Sequence, residues 1–167
     1  EVGSRGLGDV YKRQLKGLGS RNFDREGVKT DTLKLVEQGI LKHYLIDTYN
    51  GKKLNLKSNG RYGGTSNLYF ENGNISFKDL LNSKSKCLYI TETIGHGSNI
   101  VTGDYSVGAT GFLVENGEFK YPINEITIAG NFKDMFQHIT LANDLEFKYA
   151  TNSPTMMIEG MVVAGKW

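Results

Sequence analysis

From Leu15 onward the apolar positions fall mostly two apart, the period of a strand with one face turned to a core. In "TLKLVEQGILKHYLID", residues 32–47, two alternating runs meet at Gln38-Gly39, which predicts a hairpin turn. "GFLVENGEFKYPI", residues 111–123, carries the stronger signal. Its Asn116-Gly117 suits a type I′ turn, which needs positive φ at both central residues. Leu35-Val36-Glu37-Gln38-Gly39 resembles Leu113-Val114-Glu115-Asn116-Gly117, but the match stops within a few residues, so shared turn chemistry explains it better than duplication. Further strands are predicted over "SNLYFE" (66–71), "KCLYITET" (86–93), "DLEFKY" (144–149) and "TMMIEGMVVAG" (155–165).

Short helices interrupt this pattern. "SFKDLLNS" starts at Ser76 with Asp79 three residues on, a capping-box-like start using the shorter acid. "NFKDMFQHI" repeats the device with Asn131 and Asp134, and places Phe132, Met135, Phe136 and Ile139 at helical spacing. A third, weaker helix covers "YNGKKLNLK". The expected fold class is α+β, mainly β: an antiparallel sheet or partly closed barrel with a few short covering helices. The first fourteen residues, "EVGSRGLGDVYKRQ", lack such a period and resemble a translated adaptor sequence. Residues 1–14 are therefore set aside as non-native, and residues 15–167 are read as one domain of a protein truncated at its start.

Composition narrows the classes. A chain of 167 residues supports one core, and 38% apolar with 23% charged residues fits a soluble globular protein. The 21 glycines against 2 prolines point to many tight turns between short strands. A net charge of +2 with scattered basic residues argues against a nucleic-acid partner. No apolar run approaches the roughly 18–20 residues that span a bilayer, so no membrane association is expected and the cytoplasm is the default location. Cys87 is the only cysteine, which excludes an intrachain disulfide and a thiolate zinc cluster.

The candidate chemistry concentrates in "IGHGSNIVTGDYSVGATG", where Gly95 and Gly97 flank His96. His43, in a predicted hairpin strand, and His138, at a helix end where a cation suits the dipole, read as structural. No His-x-x-x-His pair occurs, so helical spacing offers no metal ligands. Ser98 and Ser106 flank Asp104, but the chain has no Gly-x-Ser-x-Gly elbow. Asp104 and Glu92 read as solvated carboxylates, and "VTGDYS" as a turn in which Asp104 bonds its own backbone. As a binding loop, its glycines, hydroxyls and an exposed tyrosine suit an extended peptide.

"LKGLGSRNFDREGVKT", "LVEQGILKHYLIDTYNGKKLNLKSNG", "TSNLYFENG", "TETIGHGSNIVTGDYSVGATGFLVENGEFKYPINEITIAGNFKDMF" and "SPTMMIEGMVVAG" follow one another in this order. Together they resemble the C-terminal half of the TldD/PmbA family, in its PmbA (TldE) branch. The resemblance implies a cytoplasmic bacterial or archaeal metallopeptidase system. In it a TldD subunit, with zinc on a His-Glu-x-x-x-His helix plus a cysteine, pairs with a PmbA/TldE subunit to degrade or trim unfolded peptides. The family's older label, modulator of DNA gyrase, implies no DNA binding. The zinc helix would lie upstream of Leu15, and where a TldD chain places its cysteine this one reads "KYATNSPTMMIEG".

The implied function is a non-catalytic subunit that contributes assembly and peptide binding, with no catalytic or metal residue in this chain and zinc held by a TldD-type partner. The alternatives are a self-sufficient metallopeptidase with its ligands upstream, and a non-hydrolytic homodimeric peptide-binding protein. The expected peptide-lining residues are His96, Asn99, Thr102, Asp104 and Tyr105.

Overall fold

The computed structural model describes residues 6–9 and 19–166. Strands make up 41% and short helices 13%, the sheets are antiparallel in the main, and no described sheet closes into a barrel. The expected class therefore holds in its open-sheet form. The chain forms two compact units, Glu1–Asn74 with Asn143–Thr155, and Ile75–Ala142 with Met156–Trp167.

In the first unit five strands run in the order β3-β2-β1-β4-β9. They are β1 (Gly6–Asp9), β2 (Leu33–Glu37), β3 (Ile40–Leu41), β4 (Leu68–Phe70) and β9 (Thr151–Asn152). Gly6–Asp9 belong to the segment set aside above, whose other residues lie outside those described; here they pair with both β2 and β4. The β4–β9 ladder is parallel. β2 turns into β3 through Gln38 (φ 51°) and Gly39 (φ 76°), both positive as the dipeptide predicts. The weak helical signal becomes α1 (Thr48–Leu54): the Asp47 carboxylate caps it by accepting the Asn50 N–H at 2.6 Å, and left-handed Asn55 ends it.

"DLEFKY" is not a strand, contrary to its alternation. Side chains capture the backbone donors that a ladder would use. Asn152 Oδ1 accepts from the N–H groups of Lys148 (2.8 Å) and Tyr149 (2.9 Å), and Asn72 Oδ1 accepts from Leu145 N–H at 2.9 Å. Asp144 in turn accepts from the Thr155 N–H and hydroxyl at 2.8 and 2.7 Å. The segment is a loop pinned at both ends.

The second unit holds a four-stranded sheet in the order β11-β7-β6-β5. Its members are β5 (Lys86–Ile94), β6 (Asp104–Glu115), β7 (Glu118–Asn131) and β11 (Val162–Ala164). β8 (Ile139–Leu141) and β10 (Met156–Ile158) form a separate pair. The run 155–165, expected as one strand, is thus two, broken at Gly160 (φ 78°). α2 (Phe77–Asn82) starts as predicted, with Ser76 Oγ accepting the Asp79 N–H at 3.1 Å. α3 (Phe132–Gln137) is shorter than the spacing implied: Asn131 caps Lys133 rather than Asp134, Met135 is buried, Phe136 is exposed, and Ile139 already belongs to β8.

Val107, Ala109, Leu113, Ile123, Ile126 and Ile128 form the core of this sheet. Ile123 and Ile126 are three apart, and in an unbroken strand they would face opposite sides. A bulge in β7 reconciles them, since Ala109 and Gly111 face Ile126 and Ile123, and Glu125 takes a left-handed φ of 54°. The β6–β7 ladder shifts again between Phe112 and Val114, and β5 carries a bulge between Ile90 and Glu92. β6 and β7 meet at Asn116 (φ 51°) and Gly117 (φ 76°), the same turn geometry as in the first unit.

Candidate functional site

Among the described residues β5 pairs with β6 alone and ends the sheet, so its other edge meets no described strand. Its last four residues, Thr91–Ile94, are exposed. The chain then leaves β5 through Gly95 (φ 92°) and returns into β6 at Asp104. This connection is the loop in which the sequence places its candidate residues.

The loop is built on close backbone contact. Ser106 N–H donates to Gly97 O at 2.8 Å, and a β-carbon added at Gly97 would stand 1.6 Å from Ser106 O. Only glycine permits that approach. Ser98 and Tyr105 make an antiparallel bridge. Asn99 forms the tip: its N–H donates to Asp104 O, its carbonyl accepts from Gly103 N–H, both at 2.8 Å, and its Oδ1 accepts the N–H groups of Val101 (3.0 Å) and Thr102 (3.2 Å).

Asp104 does not bond its own backbone as the turn reading had it. Its carboxylate accepts the Thr102 hydroxyl at 2.7 Å and the Asn131 side-chain amide at 3.1 Å. The Thr102 hydroxyl, and after it the Asn131 amide, holds the Asp104 carboxyl below the usual carboxylate range. The same Asn131 amide donates to Thr102 O at 3.1 Å, while Asn131 Oδ1 caps α3 and Phe132 N–H donates to Gly103 O at 2.8 Å. Asn131 thereby ties the loop to the end of β7. The sequence marks it as a helix cap and gives no sign of this second task.

The structure thus joins Asn99, Thr102 and Asp104 in one hydrogen-bonded frame. His96 is exposed in the same loop, between the two glycines. Tyr105 departs from expectation: it is half-buried, its ring lies 5.5 Å from that of Phe132, and it packs against the sheet core. Ile100 and Val101, which the sequence reading passed over, project at the tip with 91% and 90% of their surface exposed. Glu92 faces Thr110, six positions along β6 from Asp104, so these carboxylates do not pair.

The other titratable candidates lie outside this loop. His43 Nδ1 contacts Lys34 O and His138 Nδ1 contacts Asp134 O, each at 2.8 Å. Cys87 faces Val114 in the β5–β6 ladder, and burial raises its thiol pKa. Among the described residues no three His, Cys, Asp or Glu side chains come together to hold a metal ion.

A family profile described as the PmbA/TldA metallopeptidase C-terminal domain matches residues 9–165. The chain is 47% identical over 152 residues to a metalloprotease PmbA homologue of Buchnera aphidicola from Baizongia pistaciae, covering 90% of this chain and 34% of that protein. It is 44% identical to metalloprotease PmbA of Escherichia coli O157:H7, covering 95% of this chain and 35% of that one. Identity to a metalloprotease TldD homologue of Buchnera from Schizaphis graminum is 31%, over 89% of this chain and 31% of the relative. The chain therefore spans about a third of these relatives. Among solved structures, a Thermotoga maritima protein titled a modulator of DNA gyrase superposes with a TM-score of 0.88 at 35% identity, over 98% of this chain and 40% of its own. TldE from Thermococcus kodakarensis superposes with a TM-score of 0.80 at 27% identity, over 96% and 40%.

Proposed function

The chain belongs to the PmbA/TldD metallopeptidase family, and on that footing we propose that it is the peptide-holding part of a non-catalytic PmbA-type subunit. The subunit assembles with a TldD-type partner, which supplies the zinc and the hydrolysis. The difference between 44–47% identity to PmbA proteins and 31% to a TldD homologue supports the choice of branch.

The observation that carries peptide binding is β5. A strand of nine residues lies at a sheet edge, with its last residues exposed and a hydrogen-bonded loop directly after it. An unfolded peptide has what such an edge lacks, a matching row of backbone N–H and C=O groups, and adding it as a strand gives affinity with little demand on sequence. His96 and the Asn99-Thr102-Asp104 frame follow this edge directly in the chain, and we infer that they contact the side chains at the peptide's end. Tyr105 supports the loop from beneath.

The test is reconstitution. The native full-length protein is mixed with the TldD-type protein of the same genome, and complex formation and cleavage of an unfolded peptide are followed. The expected result is a stable heteromeric complex that cleaves, with neither activity in the PmbA-type protein by itself. A full-length protein that stays homodimeric beside the partner would favour the homodimeric peptide-binding reading, and one that cleaves alone would favour the self-sufficient peptidase.

A further inference from the structure

Four asparagines precede glycine in this chain: Asn50, Asn59, Asn72 and Asn116. Asn-Gly is the dipeptide most open to intramolecular attack on the side-chain amide, because glycine carries no β-carbon to shield its backbone nitrogen. The fold treats the four differently. At Asn50 the nucleophile is engaged, since Gly51 N–H donates to Asp47 O at 2.9 Å inside α1, and the Asn50 amide donates to Asp47 at 3.0 Å. Asn59 is held at both ends of its carboxamide, accepting from Ile46 N–H at 3.0 Å and donating to Tyr44 O at 2.7 Å. Asn72 has its amide oxygen anchored by Leu145 N–H at 2.9 Å.

Asn116 has no such restraint. It is exposed at the apex of the β6–β7 hairpin, where its backbone N–H donates to Ser85 O at 2.9 Å and its carboxamide bonds no other described residue. In this two-residue turn the ladder closes at Glu115 and Glu118, so the Gly117 N–H falls outside it.

We propose that Asn116 is a site of spontaneous deamidation, the Asn-Gly pair of the four that this fold leaves open to it. The Gly117 nitrogen gives up its proton and attacks Asn116 Cγ. The new C–N bond closes a five-membered succinimide, the bond from Cγ to the side-chain nitrogen breaks, and that nitrogen leaves as ammonia with the proton. Water then opens the ring at either carbonyl, giving aspartate or isoaspartate. Aspartate keeps the turn, because Asp-Gly also suits type I′. Isoaspartate routes the backbone through the side chain, adds a methylene, and breaks the Glu115–Glu118 register. Both products set a new negative charge between Glu115 and Glu118.

The test uses the unaltered chain. It is incubated folded at mildly alkaline pH, then digested and mapped by mass spectrometry that separates aspartate from isoaspartate. A parallel sample is held in denaturant. Folded protein is expected to convert Asn116 several-fold faster than Asn50, Asn59 or Asn72, and the four rates should converge on unfolding. Conversion of Asn116 no faster than the other three in the folded chain would overturn the proposal. So would the same ranking in denaturant, since sequence and not fold would then set it.

Discussion

His96, in the loop, and Tyr105, at the start of β6, separate binding from folding. His96 is exposed and its side chain supports no described neighbour, so His96→Ala is expected to leave the melting temperature unchanged while weakening peptide capture by the reconstituted complex. An unchanged affinity would remove His96 from the site. Tyr105→Ala, by contrast, deletes a half-buried ring packed on Phe132 and the core, and should cost about 1–3 kcal/mol in urea unfolding. A loss below the error of the measurement would contradict that packing. Asp24 gives a pH-dependent case. Its burial acts to raise its pKa, but N–H groups of Tyr62, Val28 and Glu26, with the charge of Arg21, outweigh it and hold the carboxyl below its ordinary 3.8. A folded-state pKa below the unfolded one gives stability that is present above the unfolded value and lost as pH falls through the folded one. Acid unfolding of wild type should therefore show this loss below about pH 4, and Asp24→Asn should flatten it while lowering stability at neutral pH.

The two hairpins show what an element takes from its surroundings. Gln38-Gly39 and Asn116-Gly117 adopt the same pair of φ angles, 51° and 76°. A β-carbon at Gly39 would meet nothing within 4 Å, whereas one at Gly117 would stand 1.7 Å from Asn82 Oδ1. Gly39→Val should thus cost only the strain of positive φ, about 1–3 kcal/mol, and Gly117→Val should cost more because Asn82 must also move. Equal losses in thermal unfolding would mean that Asn82 yields freely. Both turns were legible in the sequence because turn chemistry is local: two residues decide it. "DLEFKY" alternates like a strand, but its donors are taken by Asn72, far upstream, and by Asn152, just past its end, and hydrophobic alternation registers neither side-chain acceptor. The candidate loop was legible to a similar degree. Its glycines and Asn99 announced a turn, while the Asn131 clamp and the burial of Tyr105 came from the far end of β7 and from α3.

At the scale of the molecule, the ordered motifs identified the family and its branch, and alternation gave the mainly β character. The division into two compact units was not visible, because residues 143–155 rejoin the first unit after β5, β6 and β7 of the second have intervened in sequence, and such a return leaves no mark on periodicity. What the whole protein does rests on whether it holds metal. The most direct measurement is the zinc content of the native full-length protein, purified without its partner and again as the reconstituted complex. The expected result is no stoichiometric zinc in the protein alone and one equivalent per heteromeric pair, lost with cleavage on chelation. A stoichiometric zinc in the protein alone would contradict the non-catalytic assignment and make this chain part of a catalytic subunit.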